Sequence, residues 1–441
     1  MTAQRITRRE ALQTTAALGA GLWLGTSTQQ TRAAANDKLN VAVIGIGGRG
    51  VANLNGVGKT ENIVALCDVD DKRAGKAYER FPKAKKYADY RRMLDDMENK
   101  IDAVVVSTPD HTHFHPSMIA MTMGKHLYCE KPMAHSVWEV REMTKLAAKN
   151  NLATQLGMQR HALANMHRAV ELIKSGTIGD VSEVYSWISS TRGMPAQPVK
   201  TVPVPETLDW DLWIGPAKFR PYAVNSKGEG TLAPYNWRFW WDYGTGETGN
   251  WGCHILDIPY WALDLKYPTR VEASGPKIDA ERTPTEMLTS FDFPANDKRG
   301  PVKLHWSQEK NGPAILKEKG LKLKGANTLF VGSKGMLLTG FGSLKLFPGD
   351  SFEGFKSPKA TIPDSPGFYK EWTDACKGEG PATCNFDYSG PLSETVLLGN
   401  TAYRAGGGFD WDADTLTATG NESVKPFLKS EFRKGWEEFT S

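Results

Sequence analysis

Three places in the chain combine residue type and spacing in ways that chemistry requires. Gly45-Ile46-Gly47-Gly48-Arg49-Gly50 spaces its glycines as G-x-G-x-x-G. Gly45 would make a tight turn, Gly47 would let backbone approach a pyrophosphate, and Gly50 would let a helix pack closely on a strand. Gly48 and Arg49 belong to the same candidate cofactor-binding turn, and the helix beyond it presents free N–H groups to phosphates. Asp68 stands 23 residues past Gly45, at the end of the apolar run Ile63-Val64-Ala65-Leu66-Cys67. An acid there accepts hydrogen bonds from an adenosine ribose; the plainer alternative is a cap on the next helix. Its carboxylate repels a 2′-phosphate and so favours NAD, while Arg49 and Arg73 are near enough in sequence to accommodate one and keep NADP open. Lys131 follows the short run His126 to Cys129, and Pro132 biases it out of helical conformation. An ammonium at a strand end can donate to a reacting oxygen and offset charge developing on it; a surface lysine is the alternative.

The elements that position these residues follow from the pattern. Lys38 to Ile44 is a continuous apolar strand running into the glycines. Helices are expected over Tyr90 to Met97, Thr112 to Met123 and Ser136 to Lys149, and strands over Ile101 to Ser107, His126 to Cys129 and Ala153 to Gly157. Such alternation means βαβ units and a parallel sheet, with ligands outside the carboxyl ends of the strands. After about Gly157 the texture changes. One helix, Asn165 to Ser175, precedes strands over Val181 to Ser190, Arg270 to Ser274, Met287 to Phe293, Val302 to Ser307, Thr328 to Val331 and Met336 to Thr339. The expected fold is an α/β N-terminal Rossmann domain followed by an α+β domain with a large, open, mostly antiparallel sheet. Between Thr191 and Tyr243 lies a Pro- and Trp-rich stretch with Trp210, Trp213, Trp237, Trp240 and Trp241. Its aromatic faces suit pyranose rings, or pack the loop onto the sheet.

Ser107-Thr108-Pro109-Asp110-His111-Thr112-His113, Glu130-Lys131-Pro132 and Asn250-Trp251-Gly252-Cys253-His254 occur in an order that resembles the glucose-fructose oxidoreductase/inositol dehydrogenase/MocA family. The likeness covers most of residues 38 to 410 and implies a nicotinamide-dependent oxidoreductase. It implies that Thr108, Pro109, His111, His113 and Glu130 lie in the cofactor cleft. It also makes His254 the candidate general base, since an unperturbed pKa near about 6.5 lets imidazole accept a hydroxyl proton. The family's D-x-G-x-H begins here with Asn250, a departure: asparagine can hydrogen-bond a sugar hydroxyl but cannot take a proton. Asp257 could orient the imidazole if the segment is helical, with Pro259 against a continuous helix. Gln159, Arg160, Trp237, Asn250 and Asp257 are the candidate substrate contacts. His111, His113 and His115 alternate like a metal box, yet no fourth ligand of the right type stands nearby, so no metal is expected.

Composition bounds the function class. The 441 residues suit a leader and two domains, and 40% hydrophobic content suits a globular fold. The net charge is +4. Arg5, Arg8, Arg9 and Arg32 against Glu10 hold most of it, and the remainder of about +1 gives no drive toward nucleic acid or anionic membrane. Arg8-Arg9, the mildly apolar Ala16 to Leu24 and Ala33-Ala34-Ala35 have the three regions of an export signal resembling the twin-arginine type. The apolar run is too short for a membrane span, and periplasmic export of a folded protein is expected. The domains are then 1–35 signal, 36–157 NAD(P)-binding, 158–410 substrate-binding and 411–441 tail, which from Thr415 wraps a neighbour or is partly mobile. Of the five cysteines only Cys376 and Cys384 lie close enough for a local disulfide; buried thiols are the other reading. The expected function is hydride transfer at a hydroxyl of a sugar, sugar derivative or cyclitol. The rivals are a redox-neutral NAD-dependent glycosidase working by transient oxidation, and a non-enzymatic sugar- or cofactor-binding protein. An uncovered sheet face predicts a dimer or tetramer.

Overall fold

The computed structural model describes residues 38–439. The twin-arginine segment and its cleavage site lie outside these residues. Six short strands, β1 Asn40–Ile44, β2 Asn62–Cys67, β3 Lys85–Tyr87, β4 Ala103–Val106, β5 His126–Cys129 and β6 Thr154–Leu156, form an all-parallel sheet in the order β3-β2-β1-β4-β5-β6. Helices cover both faces, so β1 and β4 are apolar on both sides and almost wholly buried. The order reverses between β1 and β4, and a crevice opens at their carboxyl ends.

The second domain is built on β7 Val181–Ile188. A two-stranded ribbon follows, β8 Lys200–Thr201 with β9 Ala223–Val224. Then come β10 Arg270–Ser274, β11 Met287–Phe293, β12 Val302–Gln308, β13 Ala326–Gly332, β14 Met336–Gly340, β15 Leu344–Phe347, β16 Phe409–Asp412 and β17 Thr417–Thr419. These, without the ribbon, form a nine-stranded sheet ordered β15-β14-β13-β7-β12-β11-β10-β16-β17. Only β7 and β12 pair parallel; the other neighbours are antiparallel. The alternation in β11, whose residues Met287, Thr289, Phe291 and Phe293 are buried while Leu288 is exposed, shows one face on the core and one outward.

Across the inner face runs a helix that the sequence reading lacks, Phe386–Arg404, buried along most of its length and containing Pro391. It packs against the Rossmann helix Val137–Lys149, whose start is fixed by a capping box of Ser136 and Glu139. Between the two helices Arg141 grips Glu394 with both carboxylate oxygens at 2.7 Å and donates to Ala413 O at 2.6 Å. The segment set apart as a tail therefore begins inside the domain interface. It supplies the edge strand β17 and then returns to the Rossmann domain, where Phe432 meets the His115 ring at 4.6 Å and Arg91 lies over Trp436. It wraps its own chain. Cys376 and Cys384 are buried free thiols, as are the other three cysteines, so the local disulfide does not form.

Glu394 is fully buried and Arg141 nearly so. Removing one partner leaves a charge unpaired in the interior, at a cost of about 3–5 kcal/mol. Arg141→Ala is expected to lose that much in urea unfolding, whereas Arg141→Met with Glu394→Leu loses much less.

Candidate active site

The turn after β1 brings two backbones into contact. Gly45 has φ +78°, and a Cβ there would lie 2.8 Å from the Ser107 carbonyl at the end of β4. Gly50, in the helix Arg49–Val57, would push a Cβ to 1.8 Å from Gly45 O. Neither position admits a side chain without parting helix from strand. Asp68, at the end of β2, braces the turn: Oδ2 accepts from Ile46 N at 2.9 Å and Gly47 N at 3.1 Å, and Oδ1 from Asp70 N at 3.0 Å. Burial raises its pKa, against the lowering by those N–H groups. The next helix, Asp71–Arg80, is capped by Asp70 and not by Asp68. Arg73 reaches back beside Gly47 and Gly48. A narrow turn with nearby cations and a carboxylate at its flank fits the pyrophosphate and ribose of a dinucleotide.

This turn opens into a cavity of about 540 Å³ running between the two domains. Gly45, Gly47, Gly48, Arg49, Asp68, Thr108 and Pro109 line one end. Glu130, Lys131, Gln159, Arg160, Trp237, Asn250 and His254 line the rest. Lys131 leaves the end of β5 and crosses to the helix Gly246–Ile255 of the second domain. There its Nζ donates to Asn250 O at 2.7 Å and Asn250 Oδ1 at 3.0 Å. Burial lowers the lysine pKa, partly offset by Glu130 and Asp110. Asn250 is oriented in turn by Glu247, one helical turn earlier, which accepts its Nδ2 at 2.9 Å and is ion-paired to Arg192. The residue that departs from the family pattern is thus held by a carboxylate that the sequence reading passed over; the i, i+3 spacing of Glu247 and Asn250 was its only trace.

His254 sits one turn beyond Asn250. Its Nδ1 is buried with no hydrogen-bond partner among the described residues. Burial, then the charges of Lys131, Arg160 and Arg49, hold its pKa well below 6.5. This environment favours the neutral imidazole, the form that can accept a proton. Asp257 does not orient it. The helix breaks at Leu256 and resumes over Asp257–Ala262, with Pro259 near its start where no backbone donor is needed. Asp257 faces the other way, both its oxygens 3.0 Å from His161 Nδ1 and one bonded to Tyr388 OH at 2.5 Å. It lines no part of the cavity.

His111 and His113 also lie outside the cavity lining. His113 bridges Pro132 O and Thr108 O at 2.8 Å each, and His111 lies between Tyr243 O and Trp213 O at 3.2 and 3.1 Å. They hold backbone around the site and do not face it. His115 bonds Trp436 O at 2.9 Å, so the three rings point to three different partners. Glu130 reaches the cavity wall but is engaged by Arg49, Asn53 and Gln159. Of the loop tryptophans, Trp210, Trp213, Trp237 and Trp240 form a separate apolar cluster with Leu208, Ile214 and Tyr243, so their main work is packing. Trp213 and Trp237 also present a surface to the cavity.

A parallel six-stranded sheet with a glycine turn at its switch point, opening on a second domain's lysine-facing helix, defines a two-domain dinucleotide-binding protein. The chain belongs to the glucose-fructose oxidoreductase/inositol dehydrogenase/MocA family: residues 39–158 match the model of its NAD-binding Rossmann fold, and residues 177–438 that of its C-terminal alpha/beta domain. Inositol 2-dehydrogenase of Salmonella typhimurium is 27% identical over 146 residues, 32% of this chain and 43% of its own length. Levoglucosan dehydrogenase of Pseudarthrobacter phenanthrenivorans is 25% identical over 194 residues, 44% of this chain and 40% of its own. Curated relatives matched with higher significance, which carry the name uncharacterized oxidoreductase, are covered over only 24% to 46% of their lengths. Among solved structures, the WlbA dehydrogenase of Bordetella pertussis with NADH and UDP-GlcNAcA shares the fold at a TM-score of 0.59 and 15% identity, over 86% of this chain and 100% of that one. An inositol dehydrogenase homolog from Azotobacter vinelandii with NADH and myo-inositol does so at 0.55 and 17%, over 85% and 98%.

The glycine contacts make a direct prediction. Gly50→Ala places a methyl group against Gly45 O and is expected to cost about 1–3 kcal/mol of stability. NADH affinity, read by fluorescence titration, should fall at least about tenfold, because the displaced helix start carries the phosphate-facing N–H groups.

Proposed function

We propose that the protein is an NAD-dependent oxidoreductase acting at a hydroxyl-bearing carbon of a sugar, sugar derivative or cyclitol. The observation that carries this reading is a pair: a half-buried ammonium, Lys131, and an imidazole, His254, whose pKa burial and neighbouring cations hold down, in one cavity with the glycine turn. NAD, when bound, supplies the acceptor or donor of hydride. Lys131 has three N–H donors and gives two to Asn250, which leaves one for the oxygen of the reacting carbon. Its charge stabilises that oxygen as the C–O bond order changes. His254 takes the hydroxyl proton, or returns it in the reverse direction. Asn250 and Glu247 fix where the ammonium points. The sugar-type ligands and substrates named for the family relatives support the carbohydrate reading, and the Gly47–Asp68 contact supports NAD over NADP because a carboxylate so placed repels a 2′-phosphate.

The pH dependence follows with its sign. A base works deprotonated, and His254 is held below 6.5, so kcat/KM should stay level as pH falls through 6.5 and drop only in more acid solution. Lys131 works protonated, and its pKa is lowered from 10.5, so activity should fall on the alkaline side before pH 10.5. Lys131→Met should lose about 10²–10³ in turnover and His254→Asn about 10²–10⁴, both with NADH affinity kept. Nicotinamide absorbance across a sugar panel checks this. Full turnover in both variants would remove the assignment, and product formation with no net change in the nicotinamide would favour the redox-neutral glycosidase.

We also propose that residues 1–35 direct export, supported by Arg8-Arg9 ahead of the short apolar run. Replacing both arginines by lysine should leave the protein in the cytoplasmic fraction; unchanged appearance in the periplasm would contradict this.

A further inference from the structure

The cavity that holds Lys131 and His254 is also lined by two arginines, Arg160 and Arg238, that form no ion pair among the described residues. Arg160 has its guanidinium 4.2 Å from the Phe341 ring and 5.3 Å from Trp251. Arg238 lies 4.3 Å from Trp237 and 4.4 Å from Tyr235, and gives one N–H to Tyr235 O at 3.2 Å. Among the described residues neither forms a salt bridge. Aromatic rings against the flat face of a guanidinium hold it rigidly while leaving its edge donors unused. Arg160 makes no hydrogen bond among the described residues, and Arg238 makes the one.

The acids of the cavity are engaged elsewhere. Asp68 holds the glycine turn, Asp70 caps a helix, Asp110 accepts from Thr245 Oγ1 at 2.6 Å and bears on Lys131 and Arg238 only from a distance, and Glu130 takes Arg49 and two amides. The fifth nearby acid, Glu247, is ion-paired to Arg192. The positive charge runs along the cavity: Arg160 stands within electrostatic reach of Arg49 and Arg238 of Arg73, the cations of the glycine turn, while Arg160 also bears on His254 and Arg238 on Lys131. Burial disfavours the charge on both arginines, so each gains from an anion that arrives with the ligand.

We propose, resting on the oxidoreductase reading, that the substrate is an anionic sugar whose carboxylate or phosphate oxygens are taken by the edges of Arg160 and Arg238 while Lys131 and His254 address a ring hydroxyl. Guanidinium forks bind such oxygens in pairs, and a neutral sugar would leave two partly buried cations without an ion-pair partner.

The test titrates the full NADH-loaded protein with matched neutral sugar, uronate and 6-phosphate in the gluco, galacto and manno series. In whichever series binds, an anionic member should bind at least about tenfold tighter than its neutral counterpart, with added salt weakening only the anionic one. The uronate and phosphate arms tell the two anions apart. Arg160→Gln and Arg238→Gln should each shrink the preference several-fold; Arg160→Lys, which keeps charge and loses the fork, should fall between, and melting curves verify that each variant is folded. Equal binding of neutral and anionic sugars, an unchanged preference in both glutamine variants, or no binding in any series while NADH binds would each overturn the proposal. Lys131-dependent turnover of a neutral sugar without anion preference would sink this inference alone, whereas failure to bind NADH would sink the oxidoreductase reading with it.

Discussion

One contact ties the molecule together functionally: the Lys131 ammonium resting on both oxygens of Asn250. It joins the end of a Rossmann strand to a helix of the other domain. A partly buried ammonium is costly unless its donors are satisfied, and here two are met by a residue one helical turn from His254. The same contact fixes the relation between the strand end, where the parallel sheet opens, and the imidazole.

The surroundings keep that lysine charged yet poised. Glu130 sits next to it in sequence but is spread among Arg49, Asn53 and Gln159, so it steadies the ammonium from a distance without capturing it. Asparagine in place of the family's aspartate has the same effect, since it accepts hydrogen bonds without adding a negative charge. Glu247 provides rigidity instead, with its own charge answered by Arg192. Behind these contacts the Arg141–Glu394 clamp and the returning C-terminal segment hold the domains in register.

Much of this was legible in the sequence where local physics decides. The glycine spacing, the acid after β2 and the apolar runs each state a backbone need, and most strands of both sheets fall where those runs stand; the short strands β3, β15, β16 and β17 are additions of the structure. The helix Phe386–Arg404 was not legible because it is buried on nearly every side, which erases the amphipathic period, and Pro391 interrupts it. The family resemblance places His111 and His113 in the cofactor cleft, yet their nitrogens meet carbonyls as far away as Tyr243, which no spacing reveals. Asp257 stands three residues from His254 and pairs with His161, far away in sequence, because the helix turns it away from the cavity into the core. Trp237 was visible as a candidate for its ring, while its neighbour Arg238 became meaningful only when the loop folded and left its charge without an ion pair among the described residues.

The central claim is that the glycine turn and the Lys131–His254 pair serve one bound nucleotide. A crystal structure of the protein with NADH tests it most directly. The account predicts the pyrophosphate on the Gly45–Gly50 turn, the adenosine ribose at Asp68, and the nicotinamide face opening on the space between Lys131 and His254. A nicotinamide ring directed away from that space, or a pyrophosphate bound elsewhere than the turn, would contradict it.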